Sequence, residues 1–183
     1  MKALTAGWLM LRGFSHVVGG WWTIRTRFPH MTQAEREARV QQWAARFLHI
    51  WRIGLDVRGT PPKQGPVLMV VNHISWLDIL VMHAAGYCRF VSKADVKDWP
   101  VIGPMATGAG TLYIARESRR DALRVVHQMA EALTRGEVVA AFPEGTTSDG
   151  LTLLPFHANL IQAAISACAP ALPVALEFID SCT

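Results

Sequence analysis

Val67-Leu68-Met69-Val70-Val71-Asn72-His73-Ile74-Ser75-Trp76-Leu77-Asp78 runs from five apolar residues into a polar turn and then into a helical pattern. An apolar run this short, rich in β-branched residues and bounded by turn-formers, reads as a buried strand. Pro61-Pro62-Lys63-Gln64-Gly65-Pro66 marks the turn before it. The same texture recurs downstream. Further strands are expected at 89–92, 111–114, 138–142 and 173–178, and helices at 76–85, 119–135 and 157–169. In 119–135 the residues Ala122, Val125, Val126, Met129 and Leu133 line one face, and Gly136 stops the pattern. Strands separated by helices predict an α/β domain over residues 59–183, a mixed sheet flanked by helices, with its sites at loops beyond the strand ends.

Residues 1–58 have a different texture. Thr5, Arg12, His16, Gly19 and Thr23 share one helical face, and Leu9, Met10, Phe14, Val17, Trp21 and Ile24 cover much of the rest. Phe28-Pro29-His30 breaks this helix, and Thr32-x-x-Glu35 opens a second one with a capping box. The second helix gathers Val40, Trp43, Ala44, Phe47 and Trp51 against Arg39, Gln42, Arg46 and His49. The segment is therefore expected to form an amphipathic two-helix hairpin, and its wide apolar faces, flanked by Trp and Arg, suit a membrane interface.

Charge supports that placement. Residues 1–60 carry nine basic and three acidic groups, whereas the remainder carries nine and eleven, so the net +4 belongs to the first third. Five of the seven Trp lie there too. Arg mixed with Trp fits a nucleic acid or an anionic membrane. The apolar stretch Ala3-Leu4-Thr5-Ala6-Gly7-Trp8-Leu9-Met10-Leu11 favours the membrane, and no nucleic-acid partner is expected. Residues 3–24 are long enough to span a bilayer, but Arg12 would then sit near its centre at a cost of about 2.5–3.5 kcal/mol or more. Arg12 also interrupts any signal-peptide core. Cys88, Cys168 and Cys182 lack paired spacing, which points to reduced thiols in a cytosolic setting.

Two stretches can carry chemistry. His73 and Asp78 are five apart, about 140° on a helix, so they cannot share one helical face. They meet only if a helix starts between them. Ser75 as N-cap would place Asp78 at the third helical position, pointing back to the turn. Asp78 could then accept from one ring nitrogen and leave the other as a general base. The plainer alternative is a capping box beside an ordinary turn histidine, and His30 and Glu35 repeat the same spacing. The second stretch is Phe142-Pro143-Glu144-Gly145-Thr146-Thr147-Ser148-Asp149-Gly150, a strand-end loop in which Gly145 would let backbone amides approach a ligand.

Taken together, His73-x4-Asp78 and Phe142-Pro143-Glu144-Gly145-Thr146 resemble the first and third motifs of the glycerolipid acyltransferase family, which includes the lysophosphatidic acid acyltransferases. Gly110-Thr111-Leu112-Tyr113-Ile114-Ala115-Arg116 resembles the second motif and Leu172-Pro173-Val174-Ala175 the fourth. Ser92-Lys93-Ala94-Asp95, followed by Pro100 and Gly103, resembles the block between the first two. Their order and approximate spacing agree from about residue 66 to 178.

The resemblance implies a reaction and a set of roles. His73 would deprotonate the free hydroxyl of a lysophospholipid, most simply 1-acylglycerol-3-phosphate, while Asp78 orients the imidazole. The donor would be a thioester, acyl-CoA or acyl-carrier protein, used as co-substrate without a cofactor or metal. Arg116 would grip the acceptor phosphate. Lys93 is either a second phosphate contact or a surface lysine. Glu144, Gly145 and Thr146 would shape the acceptor site, with a backbone amide there helping the developing oxyanion. The residues agree in lacking a G-x-S-x-G elbow, an HExxH helix and a cysteine cluster of zinc spacing. The expected location is the cytoplasmic face of the membrane, peripheral or monotopic.

Three features depart from the pattern. Ala115 stands where many relatives carry Asp, and Thr147 where many carry Arg, which leaves room for another acceptor such as lyso-ornithine lipid. The chain also stops at Thr183, where relatives usually continue, so a shortened or incomplete form is expected. A hydrolase of the same ester or thioester, and an inactive membrane-binding remnant, are the competing readings.

Overall fold

A computed structural model describes residues 2–114 and 119–179. The α-helices are α1 (Lys2–Thr26), α2 (Gln33–Ile50), α3 (Leu77–Ala85), α4 (Ile102–Gly108), α5 (Arg119–Thr134) and α6 (Asn159–Ser166). The strands are β1 (Val67–Val71), β2 (Arg89–Lys93), β3 (Leu112–Ile114), β4 (Val138–Ala141) and β5 (Ala171–Val174).

The strands form one sheet in the order β3-β2-β4-β1-β5. The α/β architecture is as expected, but the mixed sheet is corrected to a parallel one, since each strand pairing among the described residues is parallel. The cause is the connections. A helical crossover follows each of the first four strands and returns the chain to the starting edge, as parallel pairing requires. β5 begins two residues earlier than expected because its register is set by β1, with Leu68 opposite Ala171 and Val71 opposite Val174. α4 and the 3-10 helix Ala94–Asp98 within the β2–β3 crossover carried no periodic pattern of their own in the sequence.

Alternation along β1 splits the core in two. Leu68 packs with Val125, Met129, Leu133, Val139 and Ala163 beneath α5 and α6. Met69 and Val71 pack on the other face with Met82, Cys88, Phe90 and Phe142. There α3 covers the sheet, α2 packs on α3, and α1 packs on α2 and α4.

The leading helices form with the predicted capping box. Thr32 accepts from the Glu35 amide, and Glu35 accepts from the Thr32 amide at 2.7 Å. On the α1 side, however, the seam with α2 is built from small and polar groups set against tryptophan rings. A Cβ on Gly13 would lie 2.6 Å from the Trp51 ring, and one on Gly20 would lie 2.5 Å from the Trp43 ring. His16 stacks on Trp43 at 4.9 Å between centroids, and the Trp43 indole N–H donates to the His16 carbonyl at 3.2 Å. The bulky side chains Trp8, Met10, Leu11, Phe14, Val18 and Trp22 face outward and are exposed. No helix among the described residues is long and apolar enough to cross a membrane.

One buried group makes stability depend on pH. His83 of α3 is 4% exposed and lies edge-on to Phe90, and burial lowers its pKa from 6.5 to about 4. Between these values the unfolded chain binds a proton that the folded chain refuses. Stability is therefore expected to fall as the pH drops from about 6.5 toward 4, by at most about 3 kcal/mol. Denaturant titrations across that range should show the slope in the parent and a flatter one in His83→Phe.

Candidate active site

Parallel strands bring their carboxyl ends to one edge, where open α/β sheets hold their sites. The turn after β1 and the loop after β4 are neighbours there because their strands pair directly. The turn is tied by its own helix. Asp78 is fully buried and its Oδ2 accepts three hydrogen bonds: from His73 Nδ1 at 2.7 Å, from the Ile74 amide at 2.6 Å and from the Ser75 amide at 2.9 Å. The expected N-cap is corrected: Trp76 holds that position without a side-chain cap bond, Asp78 is the second helical residue, and Ser75 stands just before the cap with its hydroxyl accepting from the Leu77 amide at 3.1 Å. The expected convergence of His73 and Asp78 is thus present, but the capping box is only half formed, since the Asp78 amide donates to the Ser75 carbonyl and not to its hydroxyl.

With two amides already donating to Oδ2, the proton in the 2.7 Å bond is assigned to the imidazole Nδ1. That tautomer leaves Nε2 with a lone pair. The imidazole side chain keeps 18% of its surface exposed, and Nε2 has no hydrogen-bond partner among the described residues. The ring lies flat on Phe142, with centroids 4.0 Å apart and planes 14° from parallel. Phe142 in turn stacks on Phe90 at 5.5 Å.

Glu144 sits beside this pair, 4% exposed. Its Oε1 accepts from the His73 amide at 2.7 Å and its Oε2 from the Leu154 amide at 2.9 Å, so it clamps the turn to the 142–154 loop. The His73 carbonyl accepts from the Ser148 amide at 2.8 Å and from its hydroxyl at 3.2 Å. Gly145 has φ of 70°, the left-handed conformation glycine tolerates best, and its amide donates to the Phe142 carbonyl at 3.1 Å. Thr146 and Thr147 are exposed on the same loop.

Lys93 ends β2 and is exposed. β4 lies between β2 and β1, so Lys93 is two strands from His73, about 10 Å across the same edge. Arg116, two residues beyond the end of β3, lies outside the described residues. Sequence reasoning missed Asn72, Phe142 as the platform under the imidazole, and Ser148 as a clamp. A polar residue directly between a buried strand and a candidate base was the available signal for Asn72.

The sequence model of a family described as Acyltransferase matches residues 54–177. The chain belongs to the acyltransferase family. A 1-acyl-sn-glycerol-3-phosphate acyltransferase of Neisseria gonorrhoeae is 48% identical over 129 residues, which cover 70% of this chain and 51% of that one. A lyso-ornithine lipid O-acyltransferase of Pseudomonas aeruginosa is 37% identical over 162 residues, covering 88% of this chain and 62% of that one. The chain thus spans between half and two thirds of the length of these relatives. The crystal structure of the 1-acyl-sn-glycerophosphate (LPA) acyltransferase PlsC from Thermotoga maritima superposes with a TM-score of 0.67 over 90% of this chain and 74% of that one. At 20% identity that likeness speaks for the fold.

The clamp in this family member has a direct test. Glu144→Gln keeps the shape but turns one acceptor into a donor facing a backbone amide, so it should cost about 1–3 kcal/mol of stability. Urea unfolding of the variant and the parent would measure it.

Proposed function

We propose that the chain transfers a fatty acyl group from a thioester donor to the free hydroxyl of a lysophospholipid, most simply 1-acylglycerol-3-phosphate, giving phosphatidic acid. The observation that carries this reading is the 2.7 Å bond from His73 Nδ1 to a buried carboxylate, which leaves Nε2 unpartnered beside the 142–148 loop.

In the proposed reaction Nε2 takes the proton as the acceptor oxygen attacks the thioester carbonyl. Asp78 holds the ring and offsets the positive charge that grows on it. The tetrahedral oxyanion collapses, the carbon–sulfur bond breaks, and the leaving sulfur takes the proton back from the imidazolium. The new ester and a free thiol result, and the histidine is regenerated. Each step balances without metal or cofactor. Lys93 and Arg116 would hold the acceptor phosphate, for which the planar guanidinium is suited. Because the Gly145 amide is already engaged within its turn, the exposed Thr146 is the better candidate on that loop for contacting substrate.

A membrane surface is the natural partner for such an acceptor. The outward face of α1 supports it, with Trp8 60% and Phe14 70% exposed in a segment rich in Arg. In this reading the enzyme is peripheral or monotopic on the cytoplasmic side. A second acceptor, lyso-ornithine lipid, is favoured by the relative that covers 88% of the chain and by Thr147 in place of Arg.

Labelled acyl-CoA or acyl-carrier protein, offered with a panel of lyso-lipids in mixed micelles, tests the assignment. Diacyl product is expected from the parent and none above background from His73→Ala with its fold retained by circular dichroism. Near-parent transfer by that variant would exclude the mechanism, and free fatty acid in place of diacyl product would point to a hydrolase. Arg116→Ala should raise the acceptor KM more than it lowers kcat, as loss of uniform binding does. Steady-state kinetics against acceptor concentration would show it.

A further inference from the structure

The β1–β5 ladder runs as far as Val71 opposite Val174. Beyond it the β1 backbone turns away, and its polar groups are committed elsewhere: the His73 amide to Glu144 and the His73 carbonyl to Ser148. The continuation of β5 would then face a gap. Asn72 fills it. Its Nδ2 donates to the Leu176 carbonyl at 3.0 Å, and the Leu176 amide donates to its Oδ1 at 2.7 Å. A primary amide offers a donor and an acceptor as a peptide unit does. The side chain thereby extends the ladder one step after the main chain has left it.

The docked segment reaches the reacting group through packing. Leu176 lies against the cluster that contains Val71, Phe90 and Phe142, and Phe142 carries the His73 ring on its face at 4.0 Å. We propose that Asn72 is a positioning residue for acyl transfer, holding residues 175–179 against the turn so that the platform under His73 stays in place. The proposal rests on His73 acting as the base. Its chemistry is specific to asparagine. Aspartate would set a carboxylate against the Leu176 carbonyl, glutamine adds a methylene, and alanine offers neither partner.

The test uses the full chain with Asn72→Ala and Asn72→Asp. Val125→Ala serves as a destabilising control in α5, on the opposite face of the sheet. Kinetics with acyl-CoA and 1-acylglycerol-3-phosphate are read beside amide hydrogen exchange. Both Asn72 variants should lose about ten- to a hundredfold in kcat, as a small misplacement of a reacting group does. Their acceptor KM should stay within about twofold, and the amides of 175–177 should exchange faster. Val125→Ala should lower the unfolding midpoint and keep its kcat. The proposal is overturned if Leu176 exchange is unchanged in both variants, or if kcat survives faster exchange. A loss of kcat in Val125→Ala matching its loss of stability would also overturn it. An inactive parent chain would instead refute the assignment of function, while the exchange arm still decides whether Asn72 clamps Leu176.

Discussion

One oxygen atom organises the sheet edge that holds the candidate site. Asp78 is fully buried, and a carboxylate is expensive to bury unless donors surround it. Oδ2 collects three, and each fixes something different. The Ser75 amide sets where α3 begins, the Ile74 amide sets the path of the turn, and the imidazole sets which ring nitrogen stays basic. The helix start and the His73–Asp78 pair are therefore one structure. A residue that could not accept all three bonds would disturb the helix start and the orientation of the imidazole together.

Around that atom the turn is held by distant parts of the chain. Glu144 holds the His73 amide, Ser148 its carbonyl, and the adjoining residue, Asn72, is tied to Leu176 just past the end of β5. Such double anchoring fixes the backbone that carries the imidazole, as the proposed role of His73 as a base would require. It also accounts for the polar composition of the loop after β4. Much of its polarity is spent internally.

The strands and most helices were legible because short apolar runs and period-3.6 faces survive in the sequence, as in 67–71 and 119–135. The parallel direction of the sheet was not, since direction depends on where each crossover returns. Strand β5 was placed too late because its limits come from pairing with β1 rather than from its own composition. The His73–Asp78 pair was readable from cap logic, though His30 and Glu35 offered identical spacing. The difference lies in burial, with Asp78 at 0% exposure and Glu35 at the surface. Glu144 was found from its motif, but its double duty toward His73 and Leu154 needs a fold that joins residues far apart in the chain.

The two glycines under the rings of Trp43 and Trp51 have an effect on how the first helix can behave in water. A helix that exposes oily side chains usually has the option of rolling about its axis to hide them. For α1 that option is costly, because a Cβ at Gly13 or Gly20 would come within 2.6 Å of a tryptophan ring, so a roll that brought a larger residue there would have to displace the ring. Its greasy side is left exposed by this packing. In the absence of lipid or detergent, the most available cover is the same face on another molecule, so clumping during purification would reflect correct folding rather than its failure.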